Sequence, residues 1–169
     1  ELLLAAGADR AEVMPSDGNP LVYAEKLIPD ADKTILIYGH YDVMPVEPLE
    51  LWKSDPFKPE VRDEHIWARG ADDDKGQSFI QYAAFEFLVK HNLLRHNVKF
   101  ILEGEEEIGS PSLETFLAQH RELLKSDIIL VSDTSMLAAD LPSLTTGLRG
   151  IAYWDVEVTG PNHDLHSGH

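Results

Sequence analysis

The chain has 169 residues, of which 43% are hydrophobic, a size and composition that suit one globular domain, or one domain and the start of a second. Its formal net charge of −16 argues against nucleic acid and anionic membrane surfaces as partners, because both favour clustered Lys and Arg. The chain contains no Cys, so any transition-metal site must use His, Asp and Glu, and no apolar run approaches the ~20 residues that cross a bilayer.

Three short apolar runs predict buried strands, and each runs into acidic or His residues. They are "TILIY" at 34–38 before "GHYD", "VKFIL" at 98–102 before "EGEEEIGS", and "DIILV" at 127–131 before "SDTS". A further short strand is predicted at "HIWA", which precedes the acidic turn "RGADDDKG".

Two amphipathic helices are predicted between these strands. In "GQSFIQYAAFEFLVKHN" the face expected to lie on the sheet consists of Phe79, Ile80, Ala83, Ala84, Phe87 and Leu88. In "SPSLETFLAQHRELL" the apolar stripe is Leu113, Phe116, Leu117 and Leu124. Ser110 is the expected N-cap and Pro111 fits the first helical position. The alternation of strands and helices predicts an α/β domain with a mostly parallel central sheet flanked by helices.

The acidic turns are expected to meet at one edge of this sheet, because loops that follow parallel strands lie at their carboxyl ends. Each turn alone has a simpler explanation, a solvated acidic turn for "EGEEEIGS" and acids that complement a helix dipole for "DDDKG". Their combination with "GHYD" and "SDTS" instead favours a site for one or two divalent cations, because converging carboxylates need positive charge.

The ordered motifs "GHYDVMPV", "LWKSDPF", "ARGADDDKGQ", "EGEEEIGS", "VSDT", "TTGLRGIAYWDVEVTG" and "DLHSG" resemble the co-catalytic metal aminoacylase, carboxypeptidase and dipeptidase superfamily. The resemblance is nearest to its carnosinase-like (cytosolic non-specific dipeptidase) branch. It implies a truncated zinc-peptidase-like catalytic domain at residues 1–146 and the start of an α+β lid and dimerisation domain at 147–169. The alternation in "IAYWDVEVTG" predicts a half-exposed strand of that second domain.

The resemblance also implies a set of metal ligands. His40 and Asp133 would bind one metal ion, Glu107 would bind a second, and Asp73 would bridge the two. The peptide bond between Asp73 and Asp74 is expected to be cis. A remaining metal-binding His of the family lies downstream of residue 169.

Three further residues receive catalytic roles from the same resemblance. Asp42 would hold the catalytic geometry, Glu106 would be the general base, and His166 would reach the active site of a partner subunit to stabilise the oxyanion. Spacing alone leaves open which Asp of "DDDKG" bridges and which Glu of "EEE" is the base, and the residues that follow each motif set the alignment.

The expected function is hydrolysis of the amide bond of dipeptides by water that two divalent ions activate, with Zn²⁺ favoured and Mn²⁺ or Co²⁺ as alternatives. An N-acyl amino acid deacylase would use the same chemistry, and a non-catalytic metal-binding module is the alternative from another class. The resemblance implies a cytoplasmic homodimer with a small peptide or N-acyl amino acid as substrate. The 169 residues alone are expected to hydrolyse little.

Overall fold

A five-stranded mixed sheet is the centre of the computed structural model, which describes residues 1–168. In chain order the elements are α1 (Leu2–Ala5), β1 (Arg10–Met14), β2 (Leu21–Lys26), β3 (Thr34–His40), β4 (Glu60–Arg62), β5 (His65–Trp67), α2 (Lys75–Lys90), β6 (Asn97–Glu103), α3 (Leu113–Gln119) and β7 (Ile128–Val131). The strand order in the sheet is β1-β2-β6-β3-β7.

The three strands predicted from apolar runs form a parallel unit, with β3 between β6 and β7. The helix α2 lies in the connection from β3 to β6, and α3 lies in the connection from β6 to β7, as parallel neighbours require a crossover. The predicted α/β sheet flanked by helices is therefore confirmed. Because the strands are parallel and His40 pairs in register with Glu103, the carboxyl ends of β3, β6 and β7 lie at one edge.

The remaining two strands form a hairpin that the sequence analysis did not predict. β1 pairs antiparallel with β2, and β2 pairs antiparallel with β6, which makes the sheet mixed. The hairpin turn (residues 15–20) is closed by Ser16, whose Oγ donates to Asn19 O at 2.7 Å and accepts from Gly18 N at 3.0 Å. This turn lies next to the acidic loop that follows β6, because Asn19 contacts Gly104 and Glu105 there.

The predicted strand at "HIWA" is observed as β5, but it belongs to a separate two-stranded sheet with β4. The Arg62 guanidinium lies 5.0 Å from the centroid of the Trp67 ring, and Trp67 Nε1 donates to Arg62 O at 3.2 Å. The small hairpin therefore adds no strand to the central sheet.

Buried apolar residues cover both faces of the sheet. One cluster consists of Leu3, Ala6, Ala24, Ile37, Phe85, Val98 and Phe100. The other consists of Leu21, Tyr23, Leu36, Ile101, Phe116 and Leu124. Neighbouring strand residues such as Leu36 and Ile37 belong to different clusters, because successive side chains of a strand point to opposite faces. The helix α2 thus covers one face of the sheet, through Phe85, and α3 covers the other, through Phe116.

The predicted buried face of α2 is wrong. Phe79, Ile80 and Phe87 are 60%, 64% and 54% exposed, whereas Phe85, which the prediction omitted, is 2% exposed. Phe85 packs edge-to-face on Phe100 of β6, with 5.3 Å between ring centroids. The prediction failed because apolar residues lie on more than one side of this helix, so their spacing does not determine which side meets the sheet.

The predicted start of α3 is also wrong. The N-cap is Ser112, and Ser110 instead has a positive φ of 51°. The Ser110 hydroxyl donates to Glu103 Oε1 at 2.9 Å, so a contact with β6 takes the place of the capping bond. Phe116 is buried as predicted, whereas Leu117 is 40% exposed.

The chain divides into two units, Glu1–Ser135 and Met136–His169. In the second unit the described residues form one isolated bridge, between Ala138 and Leu141. The predicted strand at 151–160 is not observed, because its backbone groups find no partner strand among the described residues. The predicted domain boundary after residue 146 stays a prediction. Within residues 1–168, no helix combines the length and apolar character needed to cross a membrane.

The two phenylalanines of α2 test the observed packing. Phe85→Ala should lower the free energy of unfolding by about 3 to 5 kcal/mol, because it leaves a cavity against Phe100. The matched control Phe87→Ala should change it by about 0.5 kcal/mol or less, because that side chain is exposed. Urea denaturation followed by circular dichroism measures both, and equal losses would contradict the observed helix orientation.

Candidate metal centre

The ring of His40 is the centre of the candidate site. His40 is the last residue of β3 and its side chain is fully buried, with 0% exposure. Its Nε2 lies 3.0 Å from Asp73 Oδ1, 3.5 Å from Asp133 Oδ2 and 4.0 Å from Glu106 Oε2. Asp133 follows β7, Glu106 follows β6 and Asp73 precedes α2. The convergence predicted at the carboxyl edge is therefore observed for these three acids.

Three of the predicted ligands form a group that could hold a metal ion. One potential ligand atom from each of His40, Asp73 and Asp133 lies within 4.8 Å of the other two. An imidazole nitrogen together with carboxylate oxygens is a donor set that suits Zn²⁺ and related divalent ions. The side chains present therefore fit a metal ion at this position.

Asp42 joins the end of β3 to the glutamate turn (residues 104–110). Its Oδ1 accepts a hydrogen bond from Glu106 N at 3.2 Å, and its Oδ2 accepts one from Glu107 N at 3.0 Å. Its Oδ1 also lies 3.3 Å from His40 Nδ1. One carboxylate thus contacts both the imidazole ring and the two glutamate amides, which is a position from which it can orient both.

The adjacent Glu106 and Glu107 point in different directions. The Glu106 carboxylate lies by His40 and its side chain is 40% exposed. Glu107 Oε1 instead accepts a hydrogen bond from Met44 N at 3.1 Å. Among the described residues, Glu107 is not part of the group around His40 that could hold an ion. Its predicted role as ligand of a second ion stays a prediction.

The other two glutamates of "EGEEEIGS" are buried and hold the backbone together. Glu103 accepts hydrogen bonds from Tyr38 OH at 2.5 Å and from Ser110 Oγ at 2.9 Å. Burial and the contact with Glu103 raise the pKa of the Tyr38 hydroxyl, which keeps it protonated as the donor. Glu105 is 8% exposed, and hydrogen bonds from Ser112 lower the pKa of its carboxyl. Neither role was predicted, because the hydrogen-bond donors are distant in the sequence or lie in an irregular loop.

Asp74 was predicted only as a partner in a cis peptide bond, and its side chain has a role that was not predicted. The peptide bond between Asp73 and Asp74 is cis, as expected. Asp74 is 1% exposed, and its Oδ2 accepts hydrogen bonds from His40 N at 3.1 Å and from Ser78 Oγ at 2.9 Å. It therefore links the start of α2 to the end of β3 next to two of the potential ligands, His40 and Asp73. Nothing in the run of three Asp residues indicates which of them is turned inward.

Charge accumulates around His40. Burial lowers the pKa of the imidazole, but the carboxylates led by Asp74 and Asp133 outweigh this effect and raise it overall. Burial also raises the pKa of Glu106 and of Asp133, and the neighbouring acids add to that effect. The side chains thus form a site whose negative charge a cation would offset.

His166 belongs to the second unit, where its Nδ1 accepts a hydrogen bond from Gly168 N at 3.0 Å. Its predicted contribution to a partner's active site stays a prediction.

Comparison with known proteins gives the family. Residues 36–162 match the family described as Peptidase family M20/M25/M40. The chain belongs to this peptidase family. It is 37% identical over 153 residues, 88% of its length, to the Cys-Gly metallodipeptidase dug1 of Schizosaccharomyces pombe. It is 37% identical over 152 residues, also 88% of its length, to the Beta-Ala-His dipeptidase of Rattus norvegicus.

A solved structure from the same family supports the fold. The chain matches the M20 family metallo-carboxypeptidase Sso-CP2 of Sulfolobus solfataricus with a TM-score of 0.75 and 40% identity over 80% of its length. The chain spans about a third of these relatives, 32% of the yeast protein, 31% of the rat protein and 30% of the archaeal chain. The predicted membership of the metallopeptidase superfamily is confirmed.

The candidate ligands can be tested by the effect of Zn²⁺ on stability. At a free Zn²⁺ concentration 100 times the Kd, we expect the free energy of unfolding to rise by about 2.7 kcal/mol, because the ion binds the folded chain. Asp133→Asn should remove most of this gain. The matched control Asp72→Asn should keep it, because that exposed neighbour lies outside the group around His40. Thermal unfolding with and without Zn²⁺ measures the gain, and an unchanged gain in Asp133→Asn would contradict the assignment.

Proposed function

We propose that the whole protein is a metallopeptidase that hydrolyses the amide bond of dipeptides. The observation that carries this proposal is the convergence of His40, Asp73 and Asp133, with the Glu106 carboxylate 4.0 Å from the same imidazole nitrogen. A site that only stored metal would need the ligands but not the adjacent carboxylate. The names of the relatives, a Cys-Gly metallodipeptidase and a Beta-Ala-His dipeptidase, support a dipeptide as the substrate.

Two divalent ions are part of the proposal. His40 and Asp133 would hold one ion, and Asp73 would bridge it to a second ion that Glu107 holds. Zn²⁺ is the proposed metal, with Mn²⁺ or Co²⁺ as alternatives, because the ligands are one imidazole and several carboxylates. The ions would supply Lewis acidity toward the carbonyl oxygen of the amide.

The chain's own residues would carry the proton transfers. Glu106 would accept a proton from the attacking water as the C–O bond forms, and would donate it to the amine as the C–N bond breaks. Its partial exposure leaves the carboxylate accessible to a substrate. Asp42 would keep this residue in place through the bond from Glu106 N, while it orients the ring of His40. His166 of a second subunit would stabilise the oxyanion.

A carboxypeptidase is the second candidate, because the solved structure with 40% identity is named a metallo-carboxypeptidase. Both activities attack an amide next to a free carboxylate, and they differ in the length of the peptide. An N-acyl amino acid deacylase would use the same attack on an acyl amide. We also propose that the whole protein is a cytoplasmic homodimer. This proposal rests on the likeness to the cytosolic dipeptidase branch.

A substrate panel distinguishes these activities. The full-length protein with added Zn²⁺, Mn²⁺ or Co²⁺ should release free amino acids fastest from dipeptides such as Cys-Gly or β-Ala-His. Mass spectrometry of parallel reactions with pentapeptides and N-acetyl amino acids supplies the comparison. Faster cleavage of the pentapeptides would favour the carboxypeptidase, and no cleavage of any amide with a loaded metal site would reject the enzyme altogether.

The general base is tested by Glu106→Gln in the full-length protein. This change should lower kcat about 10² to 10⁴-fold, because it removes the proton acceptor, while the bound metal measured by atomic emission stays unchanged. The matched control Glu122→Gln changes an exposed acid outside the site and should keep full activity. Wild-type turnover in Glu106→Gln would show that another group takes the proton.

A further inference from the structure

We propose that Glu105 is a positioning residue whose buried carboxylate fastens the hairpin turn and the start of α3 to the glutamate turn, and so sets the positions of Glu106 and Glu107. The catalytic part of this inference rests on the proposed hydrolase function. The structural part depends only on contacts that are observed in the chain.

Glu105 accepts hydrogen bonds through both its side-chain carboxylate and its backbone carbonyl oxygen. Its Oε1 accepts a hydrogen bond from Asn19 N at 3.1 Å, and its Oε2 accepts one from Ser112 N at 3.1 Å. Its carbonyl oxygen accepts bonds from Ile108 N at 3.2 Å and Ser110 N at 2.8 Å. The side chain therefore joins three segments while the main chain closes the turn that contains Glu106 and Glu107.

A second bond links the same two loops. The Asn19 side chain donates from Nδ2 to Gly104 O at 2.7 Å. Asn19 thus contacts the glutamate turn through both its backbone and its side chain, although 86 positions separate it from Glu105. The hairpin turn therefore supports the glutamate turn through two hydrogen bonds from a residue that is distant in the sequence.

Two carboxylates, those of Asp42 and Glu105, hold the glutamate turn. Asp42 accepts hydrogen bonds from Glu106 N and Glu107 N on the side of the candidate metal centre. Glu105 joins the turn to the hairpin turn and to the start of α3. Because a carboxylate that is misplaced by about 1 Å loses much of its effect on a reaction, the second support bears on catalysis as well as on folding.

The close approach of Gly18 supplies an independent way to disturb this contact. A Cβ added at Gly18 would lie 1.8 Å from Glu105 Oε1 and 2.7 Å from Ser112 Oγ. Such distances are far below van der Waals contact, so Gly18→Ala must displace the Glu105 carboxylate or the hairpin turn. The substitution adds only a methyl group and changes no residue of the candidate metal centre.

Hydrogen–deuterium exchange tests the structural claim in the chain itself. In Glu105→Gln and in Gly18→Ala, amide exchange across residues 104–112 should rise about 5- to 100-fold. The reason is that hydrogen bonds to the Glu105 carboxylate are lost and their donors are left without a partner. Exchange in α2 should stay as in the wild type. Asp17→Asn is the matched control, since it removes an exposed charge from the same hairpin turn. If Glu105→Gln unfolds as a whole, Gly18→Ala and the milder Asn19→Ala decide the outcome.

Metal binding and kinetics separate positioning from a general loss of structure. The stability gain from Zn²⁺ should persist in Glu105→Gln and Gly18→Ala, because His40, Asp73 and Asp133 lie outside the turn. In the full-length protein, kcat for the dipeptide that the wild type cleaves should fall about tenfold or more while KM changes little. Unchanged exchange in residues 104–112 of both variants would overturn the proposal. Faster exchange with unchanged kcat would overturn its catalytic part, whereas an inactive wild type would overturn the proposed function and leave the exchange result valid.

Discussion

The concentration of carboxylates around one buried imidazole dominates the physics of this fold. Asp42, Asp73, Asp74 and Asp133 all lie close enough to His40 to affect its charge or hydrogen bonding. Asp74 is buried, and the other three acids lie against the same ring, an arrangement that is unfavourable unless donors or cations offset the negative charge. The parallel order of β6, β3 and β7 creates this situation, because it brings three strand ends to one edge. The backbone amides that surround the site offset part of the charge, and the remainder favours a metal ion.

The four glutamates of "EGEEEIGS" have different structural environments and different roles. Glu103 and Glu105 are buried and accept hydrogen bonds that shape the loop. Glu106 and Glu107 lie at the candidate site, with their amides held by Asp42. The run is therefore neither a solvated patch nor four equivalent ligands. Alternate functions for neighbouring acids follow from a turn that points successive side chains in different directions.

Much of the central fold was predictable because it depends on local patterns. The apolar runs that form β3, β6 and β7 were predicted, and so were the helices that connect them. This was enough to place four residues at one edge of the sheet: His40, Asp73, Asp133 and Glu106. The N-terminal hairpin was not predicted, since polar residues interrupt the apolar pattern of both its strands. The face of α2 was predicted wrongly, because its apolar residues leave more than one choice and the contact of Phe85 with Phe100 decides between them. Asp74 and Glu105 were missed because long-range donors, such as His40 N and Asn19 N, determine their burial.

The contacts of Asp42 have a consequence for how the site can change over generations. This one carboxylate touches the imidazole ring of β3 and the amides that follow β6, so a replacement there disturbs two strand ends at once. Residues that share a partner in this way have non-additive effects, commonly by about 0.5 to 3 kcal/mol. Single replacements in this group would therefore meet strong epistasis, and an evolutionary route to a different metal or reaction would have to alter several of its members together.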